Sequence, residues 1–285
     1  MDKRRKWSAP VMLRNAAMCV CLGLLLYRGG QYRSGAAWYE QLQEQAEIRL
    51  PEDSSAENPE GTAAGEGHRP SSARAGAVPP VRREVLSAIG AAAWLKIGEI
   101  SYPVMQAGDN AWYLHRLPDG TPHPDGSLFL QAENNPAFTD RNSIIYGHNM
   151  ADGSMFGKLK RIRAENRTDL EFELYLADGT LHRYRLFSVV STTGGSEAFA
   201  IRFPDEEAFI RYQEAMLAAS VCQTGIRPAA GSRLVTLATC DGPAGTSRRL
   251  LVQGVETEVI SCADQTEPVR ITEEETQKQE KKDEG

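Results

Sequence analysis

The pentapeptide Thr236–Leu237–Ala238–Thr239–Cys240 ends an apolar run on a cysteine, and Arg249 follows nine residues later. A second segment, Tyr146–Gly147–His148–Asn149–Met150, carries a histidine 92 residues upstream of that cysteine. A thiol attacks as its thiolate, so a catalytic cysteine needs a base or positive charge nearby. A flat apolar strand ending in Thr–Cys sets the thiol at a strand edge, open to solvent and substrate. Taken singly, each residue also has a plain reading: a small buried hydrophobe, a turn histidine, a solvated charge. Only the fold can bring the three together.

The elements that must do so are carried by a chain of 285 residues, 41% apolar and 25% charged, with a net charge of −6. That composition is ordinary for a globular domain and argues against nucleic acid as a partner. Residues 1–30 read as a basic cytoplasmic tip (Lys3, Arg4, Arg5, Lys6) and a membrane signal anchor, with the catalytic part outside. The uninterrupted apolar stretch, Ala16 to Tyr27, is shorter than the about 20 residues of a full span. Arg14 could snorkel to lengthen it, and a cleaved signal peptide stays open as the alternative. Residues 31–50 suit a juxtamembrane amphipathic helix, with Trp38, Tyr39, Leu42, Ala46 and Leu50 at helical spacing. Residues 51–80, rich in Pro, Gly, Ser, Ala and Glu, read as a disordered linker, and the acidic residues 263–285 as a disordered tail.

Residues 81–262 hold the folded domain. Val85, Leu86 and Ile89 mark one face of a helix. Eight short β-like runs follow: Ala93–Ile97, Ile100–Val104, Leu128–Gln131, Ser143–Tyr146, Asp169–Leu176, Leu181–Ser191, Arg233–Ala238 and Arg249–Val255. Asp178–Gly179 is a hairpin signal between two of them. Pro204–Ala219 breaks the pattern as one inserted helix, with Phe209, Tyr212, Met216 and Leu217 on a shared face. Many short strands with one helix inserted before the cysteine strand predict a mainly β, closed or nearly closed barrel. Of the cysteines, Cys19 and Cys21 sit in the apolar segment, and a Cys222–Cys262 disulfide would leave Cys240 as the remaining thiol. No Cys–x–x–Cys pair with histidine spacing occurs, so no zinc site is expected. His68, His115, His123 and His182 lack any catalytic context and read as structural or surface residues.

Several blocks in order resemble the class B sortases, membrane-anchored cysteine transpeptidases of Gram-positive bacteria. They are Trp94–Leu95–Lys96–Ile97, Ile100 to Gln106, Asp109–Asn110 with Tyr113–Leu114, Gly126 to Leu130, Asn142 to Met150, Asp152 to Leu159, and Leu234 to Cys240 with Arg249. The resemblance implies a closed eight-stranded sortase-type β-barrel with N-terminal helices and one helix before the cysteine strand. It also implies cleavage of a C-terminal sorting signal after threonine through a thioacyl intermediate, then transfer to a cell-wall precursor or cross-bridge amine, or to a pilin lysine.

By that resemblance Cys240 is the nucleophile, His148 the general acid and base, and Arg249 the oxyanion and peptide clamp. Strand alternation favours Arg249 over its neighbour Arg248, although a one-residue bulge would exchange them. Asn110, Leu114, Tyr146, Ala238, Thr239 and Asp241 are carried over as substrate-binding, with Asp241 orienting Arg249 or the incoming amine. No cofactor and no metal are implied. Two rivals remain: a membrane-anchored cysteine hydrolase using the same residues, and a non-catalytic binding module on a sortase barrel.

Overall fold

The computed structural model describes residues 9–47, 81–242 and 245–261. The expected linker 51–80, the tail 263–285, the basic tip and Cys262 lie outside these residues. Eight strands close into one barrel: β1 (Ala93–Ile97), β2 (Ile100–Met105), β3 (Leu128–Leu130), β4 (Asn142–Tyr146), β5 (Glu171–Leu176), β6 (Thr180–Thr193), β7 (Leu234–Cys240) and β8 (Arg248–Ser261). Their order around the barrel is β1-β2-β3-β4-β7-β8-β6-β5, and β1 pairs with β5 to complete the ring. Among the described residues, four α-helices accompany them: α1 (Ala9–Ala46), α2 (Arg83–Ile89), α3 (Leu159–Ala164) and α4 (Glu206–Ala219).

Local chemistry explains the joints. Gly98 takes φ 54° at the first position of the two-residue β1–β2 turn, where a type II′ hairpin calls for glycine. Gly179 takes φ 89° in the β5–β6 turn, and Asp178 accepts the Thr180 amide at 2.9 Å. Asp205 caps α4 by accepting the Ala208 amide at 2.7 Å, and Glu206 and Glu207 complement the helix dipole in its first turn.

Strand alternation divides the apolar residues. Val235, Leu237, Leu250 and Val252 point into the barrel with Leu95, Val104, Leu128 and Phe172. Leu234, Ala238, Leu251 and Val255 point outward, under Phe209, Tyr212 and Met216 of α4. All of β7 is buried except Cys240 at its end. A strand covered on both faces reads as a continuous apolar run, which is why Leu234 to Ala238 lacks polar alternation.

On another face, Leu42 and Ala46 of α1 and Leu86 of α2 cover Trp94, Phe129 and Tyr175. Tyr39 of α1 donates to the Gly126 carbonyl at 2.7 Å and contacts Ser127 Oγ at 3.1 Å. The helix expected from residue 31 is thus the distal part of a 38-residue helix beginning at Ala9. Its backbone runs on through Gly29–Gly30, since glycines weaken a helix without breaking its hydrogen-bond ladder. Among the described residues, no helix is long and apolar enough to cross a membrane.

Candidate active site

Two strand pairings build the site. β4 and β7 run parallel with Tyr146 beside Ala238, so both strands end at the same edge of the barrel. β7 and β8 run antiparallel with Cys240 directly opposite Arg249. Paired residues share a face, so Tyr146, Ala238, Cys240 and Arg249 all emerge on the outer side. Arg248 alternates away; its side chain is exposed and reaches Asp241 at 3.5 Å.

His148 follows β4 after a glycine with a physical purpose. A Cβ on Gly147 would lie 2.3 Å from Leu128 Cδ2 and 2.6 Å from Phe156 Cδ2, so only glycine lets the chain cross there. Gly147 is tied to β7 twice: its amide donates to Ala238 O at 3.1 Å, and its carbonyl accepts Thr239 Oγ1 at 2.8 Å. Asn149 Nδ2 donates to Cys240 O at 2.8 Å. The imidazole Nε2 of His148 lies 2.7 Å from the Leu114 carbonyl. A carbonyl only accepts, so Nε2 carries the hydrogen and Nδ1 is the ring position that can exchange a proton.

Leu114 belongs to a 3₁₀ turn, Trp112–His115, whose His115 ring stacks on His148 with centroids 5.6 Å apart. Gly126 braces this turn: at φ 58°, its missing Cβ would lie 2.4 Å from Leu114 O.

A cleft of about 220 Å³ opens between these groups, lined by Asn110, Leu114, Phe129, Tyr146, Gly147, His148, Ala238, Thr239, Cys240 and Arg249. Eight of the nine residues named from sequence therefore meet in one place. Gln131 braces two of them, its Oε1 accepting from Asn110 Nδ2 at 2.9 Å and from Tyr146 OH at 2.8 Å. Burial pushes the Tyr146 phenol up to about 12, against the pull of the Arg249 charge.

Asp241 is not among the lining residues. Its carboxylate is buried and accepts both Nη1 and Nη2 of Arg163, at 2.7 and 3.1 Å. Those hydrogen bonds hold its carboxyl below the usual range despite burial. Sequence reasoning did not single out Phe129, Gly147, Gln131 or Arg163 as site residues, and it set His115 aside. The adjacency of Gly147 to His148 was the available signal; the others act through contacts that the fold alone creates. The Cys222 thiol is buried, 4.0 Å from Ile162 O, and its suggested partner Cys262 lies outside the described residues. Among the described residues, no group of three or more His, Cys, Asp or Glu is arranged to hold a metal ion.

A family model described as the sortase domain matches residues 96–257, more than half of the chain. The chain belongs to the sortase family. Sortase B of Listeria monocytogenes is 33% identical to this sortase over 170 residues, covering 56% of this chain and 67% of that protein. The solved sortase B of Clostridium perfringens superposes with a TM-score of 0.57 at 27% identity, over 62% of this chain and all of that one. A sortase B structure from B. anthracis covers 80% of this chain and 97% of its own, with a TM-score of 0.60; at 24% identity it speaks for the fold alone. Sortases are cysteine transpeptidases, and this sortase shares the closed eight-stranded barrel and flanking helices of class B members.

Proposed function

We propose that this sortase cuts a C-terminal sorting signal on the carboxyl side of a threonine, holds the acyl group on Cys240, and passes it to a cell-wall or pilin amine. The observation that carries the reading is the Cys240–Arg249 strand pair opening into the cleft that also holds His148. The Cys240 thiolate attacks the threonine carbonyl carbon, and the carbonyl electron pair moves onto oxygen. Arg249 donates to that oxyanion. The tetrahedral adduct collapses, the C–N bond breaks, and the departing amine takes a proton from the His148 imidazolium. The incoming amine then attacks the thioester and loses a proton to His148 as the thiolate leaves. The 2.7 Å contact from Nε2 to the Leu114 carbonyl supports Nδ1 as the exchanging nitrogen.

The remaining carried-over residues fit this reading as walls. Leu114, Tyr146, Ala238 and Thr239 shape the groove around the threonine, and Asn110 offers polar edges near its rim. The basic run Lys3 to Lys6 and the apolar stretch Ala16 to Tyr27 support a single-pass anchor with the barrel outside the cell. Exposed Met18, Val20 and Leu22 in that part of α1 agree with it.

The test is cleavage of sorting-signal peptides of the NPxTN and SPxTG kinds by the chain, with and without an added amine. Amine-dependent ligation product from wild type and none from Cys240→Ala is the expected result. Hydrolysis indifferent to amine would instead assign a hydrolase. Equal rates for wild type and Cys240→Ala would remove the cysteine from the mechanism.

A further inference from the structure

The carboxylate next to Cys240 poses a physical problem. Asp241 is only 4% exposed and one residue from the thiol, where a bare negative charge would oppose thiolate formation. A buried carboxylate also needs partners to stay ionised. Arg163, 78 residues earlier on α3, supplies them with two parallel hydrogen bonds, and its Nη1 also donates to Ser191 Oγ on β6 at 2.8 Å. Ser191 Oγ in turn donates to Asp241 Oδ2 at 3.2 Å. The Asp241 amide closes the end of the β7–β8 ladder on Arg248 O at 3.0 Å. Beyond it the chain turns through Gly242 at φ 132°, a conformation that favours glycine.

We propose that Arg163 is a positioning residue for the nucleophile: its fork on Asp241 fixes the end of β7 opposite Arg249 and neutralises a charge that would otherwise act on the thiolate. The proposal rests on Cys240 being the nucleophile. The thiol shares its cleft with His148 from the loop after β4, Tyr146 from β4 and Arg249 from β8. Among these and Arg248, Arg163 is the group whose bidentate bonds consume the Asp241 charge. A guanidinium does this where an ammonium, which lacks the planar fork, does it less well.

The experiment follows alkylation of Cys240 by iodoacetamide against pH on the full chain, read on the Cys240 peptide by mass spectrometry, beside kcat and KM for a sorting peptide. Arg163→Met is expected to move the alkylation midpoint upward by about one pH unit. It should also lower kcat about tenfold with KM near the wild-type value. Arg163→Lys should fall between the two, and adding Asp241→Asn to Arg163→Met should return the midpoint to the wild-type value or below. An unchanged midpoint in Arg163→Met, or a raised one that Asp241→Asn does not reverse, overturns the proposal. If Arg163→Met does not fold, Asp241→Asn alone decides: the unopposed Arg163 charge should lower the midpoint, and an unchanged midpoint overturns the proposal. Alkylation needs no sorting peptide, so this readout stands even if Cys240→Ala were to show that the transpeptidase reading is wrong.

Discussion

Replacing Arg249 with methionine removes the one guanidinium that the β7–β8 register sets opposite the thiol. Its Nη1 donates to Thr246 O at 3.0 Å and Arg248 O at 2.8 Å, which holds the head group against the loop. Among the described residues, Nε and Nη2 have no protein acceptor, leaving them for a substrate oxygen. Loss of one preorganised oxyanion donor costs about 10²–10³ in kcat, or about 2.7–4 kcal/mol. Arg248→Ala removes a side chain that is 63% exposed and 3.5 Å from Asp241. With its arginine that exposed and its distance that long, such a contact is worth at most about 1 kcal/mol, roughly fivefold in rate. Single-turnover cleavage of a quenched fluorescent sorting peptide, with melts to verify folding, separates the two. A larger loss in Arg248→Ala than in Arg249→Met would refute the register argument, and an Arg249→Met defect confined to KM would refute the oxyanion role.

Two more expectations concern supports of the site. Gly126→Ala would press a Cβ onto Leu114 O at a positive φ, so it should destabilise the fold by about 1–3 kcal/mol and lower kcat by shifting the acceptor of His148; urea unfolding and turnover check it, and unchanged values in both count against it. Arg163 depresses the Asp241 carboxyl, so the unfolded chain binds more protons between the two states' values, and stability falls as pH drops below about 4. The advantage of wild type over Asp241→Asn in urea midpoint should therefore shrink in acid, and a gap constant from about pH 6 to about pH 2 would contradict the linkage.

The barrel was legible wherever side-chain alternation and turn residues agreed. Asp178–Gly179 announced its hairpin, and Pro204–Asp205 announced α4. Strand ends were less readable. β8 continues from Val255 to Ser261 through half-buried Glu256 and Glu258 and exposed Thr257, whose polarity hides a pairing with the start of β6. α3 is a six-residue helix with only Leu159 and Ile162 buried, too short to show a period. Within the site, Cys240, His148 and Arg249 were named from motif blocks that resemble class B sortases, not from the strand pairings that bring them together. The role of Asp241 was not readable: the resemblance turned it toward Arg249 or the incoming amine, but its carboxylate went to Arg163, and nothing in a linear chain announces a partner on a distant helix.

Because β4 and β7 lie side by side in the same direction, His148 and Cys240 leave the barrel at one rim, while residues 149–233 travel elsewhere and return. That excursion carries α3, β5, β6 and α4. Through Arg163 of α3 and Ser191 of β6 it comes back to the Asp241 carboxylate at the end of β7. A change in the path to α3 therefore shifts the Arg163 fork beside the thiol, whereas the β4–β7 register holds the rim by itself.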